Sequence, residues 1–324
     1  MRFIRNKRLG LLALSGALAL AVGACGDDES GTSGGSGQAD GALSGTIAID
    51  GSSTVFPFAE AAAELFNEEN PDVRITVGQS GTGGGFEKFC AGETDISNAS
   101  RPIDAEEEVP ACRKAGVKFG EIQVANDGIA VVTNKNLAVD CLTTRQLEQI
   151  WNKGSKVDSL QQVGGSLPAT PLSLYGPGTD SGTFDFFTAE INGEEGVTRE
   201  DYEASEDDNQ LVTGVAGDEG GLGYFGFSYY EGAADQLNLV GVDSGNGCVK
   251  PSTASIQDGS YKPLSRPLFM YPATKSIQKP EVKAFMEFAV ANAPRIAEAA
   301  KIVPLTDAQV SEARQELTKA ESGT

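Results

Sequence analysis

Three times in this chain an apolar run gives way to glycine and small hydroxyl residues just before a helix-forming stretch. The three loops are Gly51-Ser52-Ser53-Thr54, Ser80-Gly81-Thr82-Gly83-Gly84 and Asp180-Ser181-Gly182-Thr183. Strand, tight loop and helix in repeated succession restrict a fold to the α/β class, because the strands gather into a sheet that the helices cover. The junctions also have a chemistry. A helix start offers free N–H groups and the positive end of a dipole, and neighbouring hydroxyls complete a cradle for an oxyanion. Three such cradles imply a buried site for a tetrahedral oxyanion, in a binding protein and not a catalyst.

The N-terminal region indicates where such a domain works. Residues 1–24 hold a basic start (Arg2, Arg5, Lys7, Arg8) and an apolar run over 9–22, the order and length of an export signal. The run ends in Val22-Gly23-Ala24-Cys25, which is similar to a bacterial lipobox with Cys25 as the first mature residue and lipid anchor. Residues 26–41 are glycine, serine and acid with almost nothing apolar, so they cannot bury a core and are expected to form a flexible tether. The expected location is the extracytoplasmic face of a cell membrane.

The whole chain carries 25 basic and 46 acidic residues, a formal charge of −21. Residues 1–24 contain four of the basic and none of the acidic ones, so without them the balance is near −25. That surface disfavours nucleic acid and anionic lipid. It does not disfavour a buried anion, since salt screens exposed charge within about 10 Å. A hydrogen bond to a charged group contributes about 1.5–3 kcal/mol, so several local donors outweigh a distant acidic surface.

There is no histidine. Ser-His-Asp triads, Cys-His pairs and histidine-ligated metals are therefore excluded. No two cysteines are close in sequence, so no metal site is expected, and no cofactor either. Asp180-Ser181-Gly182-Thr183 and Asp243-Ser244-Gly245-Asn246 both resemble the Asp-Ser/Thr-Gly signature of aspartic proteases. The second copy ends in asparagine, and strand–helix alternation is foreign to a protease built of β-structure.

Along the chain, strands are expected at 46–49, 73–77, 95–99 and 172–175, with extended segments at 122–124 and 129–133 around Asp127-Gly128. Apolar segments follow at 222–227, 237–242 and 267–271. Helices are expected at 57–70, 86–91, 105–115, 144–151, 183–191, 281–291 and 307–318. Pro57 suits a first helical turn, and Phe58, Ala62, Leu65 and Phe66 share an apolar face. Ser252-Thr253-Ala254-Ser255 reads as loop. A folded length of roughly 280 residues points to two lobes.

The longer motifs Gly51-Ser52-Ser53-Thr54-Val55-Phe56-Pro57, Ser80-Gly81-Thr82-Gly83-Gly84-Gly85, Asp95-Ile96-Ser97-Asn98-Ala99-Ser100-Arg101-Pro102 and Gly176-Pro177-Gly178-Thr179-Asp180-Ser181-Gly182-Thr183-Phe184-Asp185 together resemble the PstS family. Asp127-Gly128-Ile129-Ala130, Gly221-Leu222-Gly223-Tyr224 and Leu264-Ser265-Arg266-Pro267-Leu268 extend the likeness over nearly the whole mature chain. These are the phosphate-binding proteins of bacterial ABC importers. The resemblance implies a type II periplasmic-binding-protein fold, two α/β lobes joined by two crossings with the ligand between them. Lobe I is then 44–126 with 267–324 and lobe II is 127–266, preceded by the signal (1–24) and the lipidated cysteine and linker (25–43).

Carried over position by position, the family pattern puts phosphate donors at Ser53, Thr54, Val55, Ser80, Thr82, Ser181, Gly182 and Thr183. Ser100 adds a hydroxyl and Arg101 a cationic fork suited to bidentate contact. Some relatives have an aspartate where this chain has Ser100, and an arginine where it has Pro177. That aspartate accepts the proton carried by phosphate and lacking in sulfate. Its role here falls to Asp180 or to Asp208, with the choice left open.

Once Cys25 is assigned to lipid, four cysteines remain, and in an exported protein they are expected to form two disulfides. Of three pairings, Cys90 with Cys112 and Cys141 with Cys248 is expected, as it keeps each bridge within one lobe. The resemblance thus implies a lipoprotein that captures inorganic phosphate and delivers it to separate permease and ATPase chains. Alternatives are the same fold tuned to sulfate or molybdate, an anion-sensing receptor, and the aspartic protease.

Overall fold

The structure is a computed structural model and describes residues 42–179 and 181–323. The expected signal, Cys25, the tether up to residue 41 and Asp180 lie outside the described residues.

β1 (Gly45–Gly51) leads into α1 (Phe56–Glu69), β2 (Val73–Val77) into α2 (Gly81–Cys90), and β3 (Ile96–Ala99) into α3 (Glu108–Ala115). β4 (Ile122–Asn134) is followed by β5 (Cys141–Thr143), α4 (Thr144–Trp151), β6 (Ser173–Gly176), α5 (Gly182–Phe187) and a π-helical turn, Thr188–Asn192. Next come β7 (Glu203–Ala204), α6 (Asp208–Gly217), β8 (Gly221–Gly226), α7 (Phe227–Glu231), β9 (Leu237–Asp243), β10 (Cys248–Val249) and α8 (Thr253–Gln257). β11 (Ser265–Pro272) and the helices α9 (Pro280–Ala291), α10 (Ala293–Ala299) and α11 (Asp307–Ser322) complete the chain.

The strands run in the order β2-β1-β3-β11-β4-β8-β6-β7, with β9 pairing to β4, β5 and β10. β1 is parallel to β2 and β3, whereas β11 is antiparallel to both β3 and β4. α1 buries Phe58, Ala59, Ala62, Ala63 and Phe66, the spacing of one helical face, after a proline in its first turn.

The buried apolar side chains separate into distinct clusters. One joins residues between Ile47 and Ala125 to residues between Leu268 and Ala320. On the other face of the same strands, Phe86, Phe89, Phe269 and Tyr271 form a smaller aromatic cluster. The second large cluster runs from Ile129 to Leu264 and takes in one later residue, Val303. We call these the first and second halves.

β4 passes unbroken from one half to the other, pairing with β11 through Ile122–Gly128 and with β8 from Ile129 onward. The extended segments expected at 122–124 and 129–133 around Asp127-Gly128 are parts of this one strand. No turn forms there: Asp127 pairs with Arg266 at 3.2 Å, and Gly128 lies so close to Ile256 that a Cβ would approach its Cδ1 to 2.4 Å.

Other differences have local causes. α2 starts at Gly81, five residues before the expected helix, and the expected helix at 183–191 divides into α5 and the π turn. Ser252 to Ser255 is the start of α8 and not loop: the Ser252 hydroxyl takes the Ser255 N–H and Ser255 reciprocates. α6 is unforeseen; its start lies in an acidic run and it contains Gly214 and Gly217. The disulfides Cys90–Cys112 and Cys141–Cys248 form as expected, the first tying α2 to α3 and the second β5 to β10.

Candidate functional site

A cavity of about 710 Å³ lies between the halves and takes its lining from both. On the first half, β1 ends at Gly51 with φ +139°, where a Cβ would stand 2.1 Å from the Asn98 carbonyl oxygen. Only glycine permits that approach of β1 to β3. The Ser52 carbonyl accepts the Val55 and Phe56 N–H groups at 3.2 and 3.0 Å, which winds the loop into α1. Ser53 and Thr54 then line the cavity, and among the described residues their amides donate no hydrogen bond.

The second loop behaves similarly. The Ser80 amide and hydroxyl both donate to Asp50 Oδ1, at 3.1 and 2.6 Å, so Ser80 gives α2 no side-chain cap. Thr82 Oγ1 lies 3.0 Å from Ser100 Oγ and accepts the Ser100 N–H at 3.2 Å, bringing two hydroxyls together. Arg101 lines the cavity, yet its fork is bound by Glu108 with two contacts of 2.8 Å, above the Phe86 ring.

The second half meets this wall at Gly182. A Cβ there would fall 2.2 Å from Thr54 Oγ1 and 2.5 Å from the Thr54 amide nitrogen. One helical turn after Ser181, Asp185 accepts the Ser53 hydroxyl at 3.3 Å. Burial, with Glu195 nearby, pushes the Asp185 carboxyl up to about 6, against the opposing pull of Ser53 and Arg266. Phe186 and Glu190 continue this wall, and burial raises Glu190 as well.

Arg266 on β11 supplies the inner cation. Its Nη2 donates to Thr54 Oγ1 at 2.5 Å and to the Gly182 carbonyl at 3.1 Å, and its Nε donates to Asp127 Oδ2 at 3.2 Å. Burial lowers its hold on the proton, and Asp127 opposes that effect.

Of the residues expected from sequence, Ser53, Thr54, Ser80, Thr82, Ser100, Arg101 and Gly182 line the cavity. Val55, Ser181 and Thr183 are not in its lining: Val55 is wholly buried in the first core, and the Ser181 hydroxyl caps α5 by accepting the Thr183 N–H at 3.2 Å. Asp208 opens α6 away from the lining, with its carboxyl pushed up to about 7 by burial and then by Asp207 and Asp127. Arg266 and Asp185 were missed as site residues, although both stand in motifs that carry the family likeness. The available signals were local: Arg266 is the one charge in the stretch 264–271, and Asp185 follows the Ser-Gly-Thr loop by one turn.

Among the described residues, no group of three or more His, Cys, Asp or Glu side chains could hold a metal ion, and no helix is long and apolar enough to cross a membrane.

Comparison with known proteins gives a consistent answer. Residues 36–293 match the model of the PBP superfamily domain. The chain is 46% identical over 281 residues to protein SphX of Synechococcus elongatus, covering 86% of this chain and 83% of that one. It is 39% identical over 302 residues to the phosphate-binding protein PstS of Staphylococcus saprophyticus, covering 92% and 90%. Among solved structures, a possible phosphate binding protein from Planctomyces limnophilus superposes with a TM-score of 0.81 at 42% identity, over 86% of this chain and 99% of that one. The architecture is the type II periplasmic-binding-protein fold. With those identities and coverages, the chain belongs to the family of SphX and the phosphate-binding protein PstS.

Proposed function

We propose that this protein is a solute-binding lipoprotein that captures inorganic phosphate between its two halves and delivers it to an ABC importer. The supporting observation is the pairing, in one cavity, of open amides at Ser53 and Thr54 with the carboxylate of Asp185. Amides, the Thr82 and Ser100 hydroxyls and the inner arginine attract an oxyanion. A carboxylate facing the same anion is tolerable only if the anion brings a proton to donate, which phosphate does at neutral pH and sulfate does not. Asp185 takes this role in preference to Asp180 or Asp208. The names of PstS relatives support the phosphate reading.

Lobe I is 44–126 with 267–324 and lobe II is 127–266; closure of one on the other excludes water and adds contacts absent from the open form. The protein works by binding and release, without catalysis. Residues 1–24 direct export, and lipid on Cys25 with the linker to residue 43 holds the domain at the outer face of the membrane, within reach of permease and ATPase subunits. Mass spectrometry of the membrane-extracted protein is expected to find diacylglycerol on Cys25 and none after Cys25→Ser.

Calorimetric titration of the full-length protein with phosphate and then sulfate, from pH 5 to 9, tests the ligand. Phosphate is expected to bind with heat that excess sulfate does not remove. Silence towards phosphate, or equal binding of both anions, refutes the assignment.

A further inference from the structure

Arg266 stands where the two halves meet, with its side chain 13% exposed. Three of its contacts fix it to the crossing and to the second half: Nε to Asp127 on β4, Nη2 to the Gly182 carbonyl, and the guanidinium face at 3.8 Å from the Phe186 ring centroid. A fourth reaches the first half, from Nη2 to Thr54 Oγ1 at 2.5 Å. The guanidinium is planar and rigid, so these contacts lock its orientation as a unit.

We propose that Arg266 is a positioning residue for cleft closure, a latch anchored on the second half that engages Thr54 when the walls meet. Its bonds join protein to protein. They favour the closed cleft regardless of which anion occupies it, and they aim the Ser53-Thr54 amides at the same spot as α5. A contact made in one state alone shifts the population towards that state, and apparent affinity falls in proportion to the fraction of molecules in the binding-competent form. The affinity part of this inference rests on the phosphate reading; the closure part stands without it.

Small-angle scattering of the full-length wild type, Arg266→Met and Arg266→Lys, with and without phosphate, reads closure directly. In phosphate-free buffer the methionine variant is expected to have a larger radius of gyration than wild type, returning to the wild-type value at saturating phosphate. Lysine lacks the fork and should fall between the two. Phosphate Kd should rise about tenfold in Arg266→Met, about 1.4 kcal/mol. If the methionine variant does not fold by circular dichroism, Thr54→Val removes only the accepting hydroxyl and should reproduce the expansion. Superimposable phosphate-free scattering of wild type and all folded variants overturns the latch, even if affinity is lost, because Arg266 then acts on the ligand alone. Expansion of the variants in a protein whose wild type ignores phosphate would uphold the latch and refute the phosphate reading.

Discussion

Both halves end a strand in glycine and hydroxyl residues and begin a helix there, yet they treat the new helix's N–H groups differently. In the first half neither α1 nor α2 has a side-chain cap, because the Val55 side chain has no polar atom and Asp50 draws the Ser80 hydroxyl away. Among the described residues the Ser53 and Thr54 amides stay open, and the dipole ends stay positive. In the second half Ser181 caps its own helix, and Asp185 places a carboxylate in the first turn. On the proposed reading, one wall attracts the anion and the other reads its proton. A loop of this composition becomes a binding loop when neighbouring groups leave its amides unspent.

The strongest way to break this contrast is to keep the walls apart. Gly182→Ala puts a methyl where the Thr54 hydroxyl and amide lie, so phosphate affinity is expected to drop about a hundredfold, in line with an overpacking cost of about 1–3 kcal/mol. The melting temperature should change little, since the clash vanishes when the cleft opens. Calorimetry and a thermal melt on one sample check both halves of that statement.

Removing the proton reader should matter less for affinity and more for selectivity. Asp185→Asn is expected to narrow the preference for phosphate over sulfate about tenfold, the scale of one hydrogen bond to a charged group. pH gives a second handle. The Asp185 carboxyl lies at about 6 against 3.8 for an ordinary aspartate. Between those values the folded chain keeps a proton that the unfolded chain has released, so stability falls as pH rises across that window. Asparagine should flatten that part of the melting profile. In the wild type, phosphate affinity should rise as pH passes upward through about 6 and Asp185 becomes an acceptor.

The smallest effect sharpens the comparison most. Ser181→Ala removes the α5 cap and should cost about 1 kcal/mol of stability, the usual loss for such a cap, while phosphate affinity stays within about twofold. A collapse of binding in this variant would put the Ser181 hydroxyl on the ligand and erase the distinction between the two kinds of loop.

The strand–helix order and the oxyanion chemistry were legible in the sequence because they depend on local pattern, and the disulfide pairing because the family likeness supplied the lobes. β1, α1 and β2 follow from alternation and a first-turn proline. The spending of donors was not legible. Nothing local says that Asp50 captures Ser80, that Glu108 occupies the Arg101 fork, or that Arg266 crosses to Thr54, more than two hundred residues earlier in the chain. Asp185 escaped notice for a related reason: its proximity to Ser53 spans 132 residues and arises only when the halves pack.

The division of the cores also orders events in time. Apart from Val303, the second core is drawn from one uninterrupted stretch, so it can consolidate as soon as that stretch is free to collapse. The first core is split, and β3 lacks its neighbour β11 until the C-terminal strand and helices arrive. A chain emerging N-terminus first therefore holds an unpaired strand edge and an uncovered apolar face throughout the synthesis and folding of the other half. Pulsed hydrogen exchange during refolding should protect β8 and β9 before β1 and β3. The half that carries the open Ser53 and Thr54 amides precedes the other in the described sequence and is expected to finish folding last.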